Sequence, residues 1–474
     1  MAKLPPVGKA AGTRARHWDA VVLGSSPSGL VAAARLGMAG KRVLVIEEAA
    51  TRNAFPGLRE PFFLAGAQDQ GVCDALLREL ALPVVERRRL EAAPRAFQLV
   101  GADLRADIGK RDLTQRELAL WEISNAQVAH SMTQALCDAS EAERQAMLEA
   151  PVVRMGRRIG RRTRGIDAYR RGLPAEVTSA SPRLAHIMAV QVRALSNLAE
   201  TDPSPEARAR LLGSVLAGGT RFRHGPPWLM GLLRGRVEST FGEFRTPSGP
   251  FRLVSSGDQP GIAVEGTEEL WLGDALILAA PASLLARELD QEPVPSFLVS
   301  KRTTRRRVNV HLRAPKTAIP EAMGQRALLV DDLPAADSPL NGSGQANPGA
   351  GPISLALYPD ASQPDTANLV ASRIARPEDS IAEVEDSLEA AVRALLPFAG
   401  TDMERCPIDR PRWDDDGWLE DPPRGLGWPT ELVLRVSSRP PVYRLDRAEV
   451  AGLGLEGDLL LGWRAGDAIA AELS

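Results

Sequence analysis

Cysteine and histidine are scarce in this sequence, and their positions exclude two common kinds of site. Among 474 residues there are three cysteines, Cys73, Cys137 and Cys406, which lie far apart with no C-x-x-C spacing. Neither a zinc site nor a disulfide framework is therefore expected, and a reducing cytoplasm fits best. The five histidines are His17, His130, His186, His224 and His311. They show no metal-ligand spacing, so we predict no metal centre.

Long apolar runs and a strong net charge are also missing. No run of about 18 apolar residues occurs, so a membrane-spanning helix is not expected. Residues 1–16 are basic but lack the apolar stretch of a secretory signal, and we predict that they form a flexible tail. The formal net charge of −2 gives no reason to expect a polyanion, and nucleic acid is not predicted as a partner.

The composition is that of a globular protein of more than one domain. Hydrophobic residues make up 44% of the chain and charged residues 25%, which is close to the average for soluble proteins. A chain of this length exceeds what a single hydrophobic core usually holds. Two domains, either successive or intertwined, are expected.

The first patterned segment predicts a strand, a tight turn, a helix and a second strand. The apolar run Asp19–Leu23 ends at Gly24 and suits a strand buried on both faces. An Ala-rich helix is predicted from Ser28 to Gly40, and a second apolar run follows at Arg42–Ile46. Such a unit of about 30 residues is typical of a parallel sheet.

The turn between this strand and helix resembles a dinucleotide-binding loop of the form G-x-G-x-x-G. Gly24 permits a sharp exit from the strand, and Gly29 permits close packing of helix on sheet. Ser26 replaces the middle glycine, which normally lets the backbone approach a pyrophosphate. The helix N-terminus behind the turn attracts a diphosphate. The candidate cofactor-binding residues of the turn are Gly24, Ser25, Ser26, Pro27, Ser28 and Gly29.

An acidic residue completes this pattern. Glu47 follows the second strand, 18 residues after Gly29, where a carboxylate accepts hydrogen bonds from an adenosine ribose and rejects a 2′-phosphate. The alternative is an ordinary packed turn with a solvated Glu47. Strand, turn, helix, strand and terminal acid together favour the dinucleotide site.

The segment Asp19–Glu48 resembles the FAD-binding start of the phytoene desaturase, protoporphyrinogen oxidase and amine oxidase superfamily. Residues 242–281 and 449–469 are similar to the middle and closing stretches of that family. The resemblance implies FAD as cofactor, with Phe251 offering backbone hydrogen bonds to adenine. Arg59 stands at the arginine of the family's Gly-Gly-Arg stretch. The resemblance also implies that a closing loop lies against the flavin ring system; its residues are Gly454, Leu455, Glu456 and Gly457.

The resemblance implies an α/β fold in which a Rossmann-like FAD-binding domain is interrupted by a mixed helical and β substrate domain. The FAD-binding parts are expected at residues 17–110, 236–290 and 431–474. A mainly helical substrate or membrane-facing region is expected at residues 111–235, and the second substrate part at 291–430.

Three departures from the family pattern leave a second interpretation open. They are Ser26 for glycine, the stretch Pro56–Arg59 for Gly-Gly-Arg, and Leu445–Arg447 where the family has Gly-Asp or Gly-Glu. Each removes a close approach of backbone to cofactor. A degenerate, cofactor-free relative therefore stands beside the enzyme as an alternative.

A basic stretch offers a different kind of contact. The residues from Arg154 to Arg171 include eight arginines. They suit a peripheral anionic membrane or an acidic protein surface. A solvated basic face is the alternative.

The leading functional hypothesis is an FAD-dependent oxidoreductase that removes a hydride from a C–N or C–C bond of a small organic molecule. The flavin carries such chemistry, and no catalytic residues are identified from the sequence. The rival hypotheses are a non-catalytic binding or scaffold protein with a flavoprotein fold, and an NAD-dependent dehydrogenase. The closing segment favours flavin over NAD.

Overall fold

The computed structural model describes most of the chain and supplies the elements named below. The described residues are 4–6, 14–49, 71–149, 181–222, 227–289, 291–299, 304–330, 351–360, 363–376, 378–409, 412–422 and 434–474. Arg59, the basic stretch Arg154–Arg171 and the Gly- and Pro-rich residues 334–350 lie outside them.

The described helices and strands alternate along the chain. The α-helices are α1 (Pro27–Met38), α2 (Val72–Glu79), α3 (Val84–Arg87), α4 (Arg111–Leu120), α5 (Ala126–Leu148), α6 (Pro182–Leu195), α7 (Pro205–Ser214), α8 (Pro227–Ser239), α9 (Ala282–Glu288), α10 (Ile381–Leu395) and α11 (Gly454–Glu472). The strands are β1 (Arg14–Leu23), β2 (Val43–Ile46), β3 (Leu90–Ala93), β4 (Arg95–Val100), β5 (Arg105–Gly109), β6 (Gly219–Phe222), β7 (Glu243–Arg245), β8 (Phe251–Ser256), β9 (Gln259–Val264), β10 (Glu269–Leu278), β11 (Thr304–Pro315), β12 (Arg326–Leu329), β13 (Ile353–Pro359), β14 (Thr366–Ala375), β15 (Glu404–Cys406), β16 (Trp418–Glu420), β17 (Arg435–Ser438) and β18 (Pro441–Arg444).

The first sheet collects strands from three distant parts of the chain. Its order is β17-β18-β10-β1-β2-β7, with β8 and β9 paired beside β10. Strands β18, β10, β1, β2 and β7 run parallel. The apolar runs of β1 and β2 are fully buried, as expected of strands covered on both faces. Helices α1, α8 and α11 share a core with one face of this sheet.

The second sheet is mainly antiparallel and has the order β15-β11-β14-β13-β12-β4-β5, with β16 paired to β11. Alternate residues of β11, including Val308, Val310 and Leu312, share a core with α10. Helices α4 to α7 form a further core with β4 and β5. This helical region follows the strongly helical pattern of the sequence between about residues 114 and 216.

The α/β fold class predicted from the sequence is confirmed. Strands β4 and β5 fall inside the segment assigned to the first FAD-binding part, yet they pair in the second sheet, because β4 lies parallel to β12. Helix α8 falls inside the segment assigned to the substrate side, yet it shares the core of the first sheet.

The prediction of a flexible tail over residues 1–16 is wrong for its described parts. Arg14–Arg16 form the start of β1 and pair with β10. Leu4 is buried against the first sheet, and the backbone N–H of Ser255 donates to the carbonyl of Pro5. The segment is held by the buried Leu4 side chain and by the carbonyls of Leu4 and Pro5, which accept from Ser255. These contacts leave no recognisable pattern in the sequence. Among the described residues, no helix combines the length and apolar character needed to cross a bilayer.

Candidate functional site

The predicted dinucleotide turn lies at the middle of the first sheet. Strand β1 has β2 on one side and β10 on the other, so strands that follow β1 in the sequence lie on both sides of it and the strand order reverses there. Ligands of open α/β sheets bind in the crevice beyond the carboxyl ends of the strands at such a reversal. The turn Gly24–Gly29 begins at that point.

Both glycines of the turn are required by close packing. Gly24 has φ +111°, and a Cβ there would lie 3.0 Å from the backbone nitrogen of Ala280. A Cβ on Gly29 would lie 2.5 Å from the Gly24 carbonyl oxygen and 2.7 Å from the Ala279 Cβ. The residue after β10 therefore presses against the turn, and only glycine fits at either position.

Ser26 is turned inwards and caps α1. Its Oγ accepts a hydrogen bond from the Gly29 N–H at 3.2 Å and donates to the Ala279 carbonyl at 2.8 Å. The side chain is 2% exposed, and Pro27 is the first residue of the helix. The hydroxyl therefore satisfies a helix terminus and lies away from the mouth of the turn. Ser28 is also buried, with its Oγ 3.1 Å from that of Ser26.

Glu47 is held by an arginine of α8. Arg234 Nη1 donates to both carboxylate oxygens at 2.8 and 2.7 Å. The guanidinium lies 3.8 Å from the centre of the Phe244 ring. The carboxylate keeps its predicted place beyond β2, with a cationic partner that sequence spacing does not reveal.

Glu48 faces a segment that arrives from the second sheet. Its Oε2 accepts a hydrogen bond from the Trp413 backbone N–H at 2.6 Å. Burial raises the pKa of the Glu48 carboxyl, and the nearby Asp414 carboxylate adds to the rise, while the Trp413 hydrogen bond and Arg412 oppose it. The two neighbouring glutamates thus point to different partners, as residues at the end of a strand do.

An acidic side chain of that segment sits at the mouth of the turn. The Ser25 hydroxyl donates to Asp414 Oδ2 at 2.8 Å, and the Glu48 backbone N–H lies 3.3 Å from the same oxygen. Arg412 donates from two nitrogens to the same carboxylate at 2.9 and 2.8 Å. Asp414 is 5% exposed. Sequence reasoning missed this residue because it is 389 residues from Ser25.

The same segment covers the predicted adenine contact. Phe251, the first residue of β8, is 4% exposed, and its ring centre lies 6.0 Å from that of Trp413. Trp413 is 7% exposed. Residues 412–414 thus contact the ends of β1, β2 and β8 together.

A cleft adjoins the turn at the carboxyl ends of β10 and β18. It encloses about 340 Å³ of empty space, part of it open to solvent, and its lining residues are Ala280, Pro281, Ala282, Trp418, Glu420, Arg444, Leu445, Asp446, Arg447 and Ala448. Arg444 pairs with Asp446 at 2.7 Å. Arg447 pairs with Asp458 and also donates to the Asp416 carbonyl at 3.3 Å. The positively charged groups of this cleft are therefore engaged by acids of the chain.

The predicted closing loop begins α11, where Gly454 has φ +58°. Leu455 is 2% exposed, and a Cβ on Gly457 would lie 2.4 Å from the Val450 carbonyl oxygen. These two residues therefore pack within the protein core.

Glu456 has a partner other than the predicted cofactor. Arg210 of α7 donates to its two carboxylate oxygens at 2.5 and 2.7 Å, and the Val72 N–H donates at 3.1 Å. Both side chains of the ion pair are 3% exposed. Removing either charge would leave the other buried without compensation of equal strength, which is costly. Both oxygens of the Glu456 carboxylate already accept hydrogen bonds from protein groups.

Two glycines of α11 make its close contact with α1, and neither is among the site residues predicted from the sequence. A Cβ on Gly462 would lie 2.3 Å from the Ser28 carbonyl oxygen, and one on Gly466 would lie 2.6 Å from the Arg35 Cβ. These two glycines are four residues apart and therefore share one helix face. The spacing of four residues between the two glycines is the sequence pattern that could have predicted this close helix contact.

The framework fits a dinucleotide, whereas the donors at its mouth are already engaged. The strand ends, the glycine turn and Glu47 have the arrangement of a nucleotide site, and Gly24, Ser25, Gly29, Glu47 and Phe251 would border it. The Ser25 hydroxyl has Asp414 as its acceptor. The described residues contain no group of three or more His, Cys, Asp or Glu placed to bind a metal.

Comparisons with known proteins identify the fold. No protein-family model and no curated protein sequence matches the chain. Among solved structures, a putrescine oxidase bound to putrescine is 14% identical, with 97% of this chain and 100% of that chain aligned and a TM-score of 0.55. An oxidoreductase from Methanosarcina mazei is 14% identical over 95% and 99% of the two chains, with a TM-score of 0.55. Cyclohexylamine oxidase from Brevibacterium oxydans is 14% identical over 96% and 99%, with a TM-score of 0.52. The chain therefore has the fold of the FAD-binding amine oxidases.

Proposed function

We propose that this protein is an FAD-dependent oxidoreductase that removes a hydride from a C–N or C–C bond of a small organic substrate. The observation that carries the proposal is the glycine turn at the strand-order reversal, with Gly24 and Gly29 both closed to any side chain. The full-length similarity to an amine oxidase fold supports it. When bound, the flavin supplies the hydride-accepting chemistry.

The residues of this chain supply binding and orientation. The N-terminus of α1 attracts the diphosphate, since the positive end of the helix dipole favours an anion. Glu47 accepts hydrogen bonds from the adenosine ribose, with Arg234 holding the carboxylate in place. Phe251 borders the adenine, and the second sheet with helices α4 to α7 forms the substrate side.

The first test is the presence of flavin. Purified protein, incubated with excess FAD and desalted, should show flavin absorbance, and its melting temperature should rise with FAD concentration by mass action. Absence of both effects would refute the cofactor assignment.

The second test separates the two glutamates. Glu47→Gln should weaken FAD binding about 10- to 150-fold, because the loss of a hydrogen bond to a charged group costs about 1.5–3 kcal/mol. Glu238→Gln is the matched control, since Glu238 pairs with the same Arg234 from an exposed position on α8. Equal dissociation constants for the two variants would place the ribose elsewhere.

One observation favours a second candidate, a non-catalytic binding protein that keeps the flavoprotein fold. Asp414 fills the anion position with a carboxylate of the chain itself. A protein that binds neither FAD nor ADP under any condition would fit this candidate.

A further inference from the structure

The mouth of the nucleotide turn is closed by a contact among four residues. Ser25 donates its hydroxyl to Asp414, and Glu48 contributes its N–H to Asp414 and its carboxylate to Trp413. The end of β1 and the end of β2 are thereby tied to one segment. The segment continues directly into β16, which pairs with β11 of the second sheet.

The Asp414 carboxylate accepts the Ser25 hydroxyl as a bound phosphate would. A phosphate oxygen that accepted the Ser25 hydroxyl would take the position of Asp414 Oδ2, which lies 2.8 Å from that hydroxyl. Two acceptors cannot occupy one position. A diphosphate beside an ionised Asp414 would also meet like-charge repulsion. The carboxylate and the cofactor phosphate are therefore mutually exclusive at Ser25.

The closed arrangement is stabilised by more than one kind of interaction. Arg412 balances the Asp414 charge through two hydrogen bonds. Trp413 is buried against Phe251, so opening the segment exposes an aromatic ring to water. The segment thus has both polar and apolar contacts that favour the closed state.

We infer that Asp414 is an internal competitor of FAD: it occupies the anion position of the nucleotide site, and the segment Arg412–Asp414 must withdraw before the diphosphate binds. This inference rests on the proposed FAD function. The apparent dissociation constant is then raised by the fraction of molecules that are closed. Withdrawal of this segment would also move the residues that lead into β16, which pairs with β11. Cofactor binding would therefore be coupled to the position of this edge of the second sheet.

The experiment compares FAD titrations of wild-type protein with Asp414→Asn and Asp414→Ala. Asparagine removes the charge and alanine also removes the acceptor. We expect FAD to bind at least tenfold more tightly to each variant than to wild type. Asp415→Asn is the matched control, because Asp415 is the neighbouring acid and accepts from the Gly417 backbone N–H; the affinity of this variant should equal that of wild type.

Hydrogen exchange supplies a readout that is independent of activity. In wild type, saturation with FAD should increase exchange in a peptide covering residues 412–418 and decrease it in one covering α1. Unchanged exchange at 412–418 on saturation with FAD would overturn the inference.

The outcomes separate this inference from the proposed function. If all four proteins bind FAD equally, Asp414 is no competitor, while the FAD function stands. If only the two Asp414 variants bind, the inference stands and wild type rests in the closed state. If none binds FAD or ADP, both fail and the non-catalytic candidate replaces them.

Discussion

At the scale of single residues, several polar groups expected at the cofactor are occupied by protein partners. Ser26 looked like the obstacle, because it replaces a glycine that lies under the pyrophosphate in the family pattern. Its hydroxyl instead caps α1 and reaches Ala279. The neighbouring Ser25 hydroxyl, in contrast, donates to Asp414. A local motif predicts where backbone lies, but it carries no information about a side chain that arrives from 389 residues away.

Glu456 gives a prediction at this scale. Glu456→Ala should lower the free energy of unfolding by about 3–5 kcal/mol, because it breaks a buried ion pair by removing the carboxylate that accepts two hydrogen bonds from Arg210. Chemical denaturation measures the loss. The double variant Arg210→Met/Glu456→Leu should recover most of it, since replacing a buried ion pair by apolar groups is often neutral.

The control for this prediction is Glu238→Ala, because Glu238 and its partner Arg234 are both exposed, at 55% and 40% of their side-chain surfaces. An exposed ion pair contributes little, so its removal should cost no more than about 1 kcal/mol. Equal losses for Glu456→Ala and Glu238→Ala would contradict the role given to the buried pair.

At the scale of elements, the sequence predicted the nucleotide unit closely. The expected helix Ser28–Gly40 is α1 at Pro27–Met38, and the expected strand at residues 42–46 is β2 at Val43–Ile46. Alternating or continuous apolar runs and a glycine after the helix fix such elements locally. The pairing of β4 with β12 depends on contacts more than 200 residues apart, and no local pattern predicts it.

The contact between α1 and α11 gives a prediction about element packing. Gly462→Ala should destabilise the protein by about 1–3 kcal/mol, because the added methyl meets the Ser28 carbonyl and forces the helices apart. Thermal or chemical unfolding measures the change.

Gly235→Ala is the matched control on α8, where a Cβ would have nothing within 4 Å. Alanine there should stabilise the protein by about 0.4–1 kcal/mol, because it reduces the entropy of the unfolded chain and favours the helix. A stabilising Gly462→Ala would show that α11 does not press on α1.

At the scale of the whole molecule, three distant segments build one sheet. Residues 14–46, 243–278 and 435–444 all contribute strands to it. The family resemblance at both ends and in the middle of the chain implied such an interrupted arrangement. The pairing of strands on the substrate side could not be predicted, because it joins residues far apart in the sequence.

Truncation tests this arrangement. A chain that ends at Leu453 lacks α11, which contributes Leu455, Leu459 and Ile469 to the core around α1. We expect it to be insoluble or rapidly degraded by protease, since an exposed core of this size cannot be stable in water. A chain shortened only by the exposed Ser474 should unfold like the unshortened chain. Cooperative unfolding of the chain ending at Leu453 would show that α11 is dispensable.

The contact of Gly462 with Ser28 also determines when folding can finish during synthesis. A ribosome adds about 5–20 residues per second, so roughly 20–90 s separate the synthesis of α1 from that of α11. During this interval the apolar face that α11 later covers stays exposed to the cell. We expect the nascent chain to depend on chaperones that shield its first helix, and folding of the nucleotide turn to be completed only after translation has passed α11.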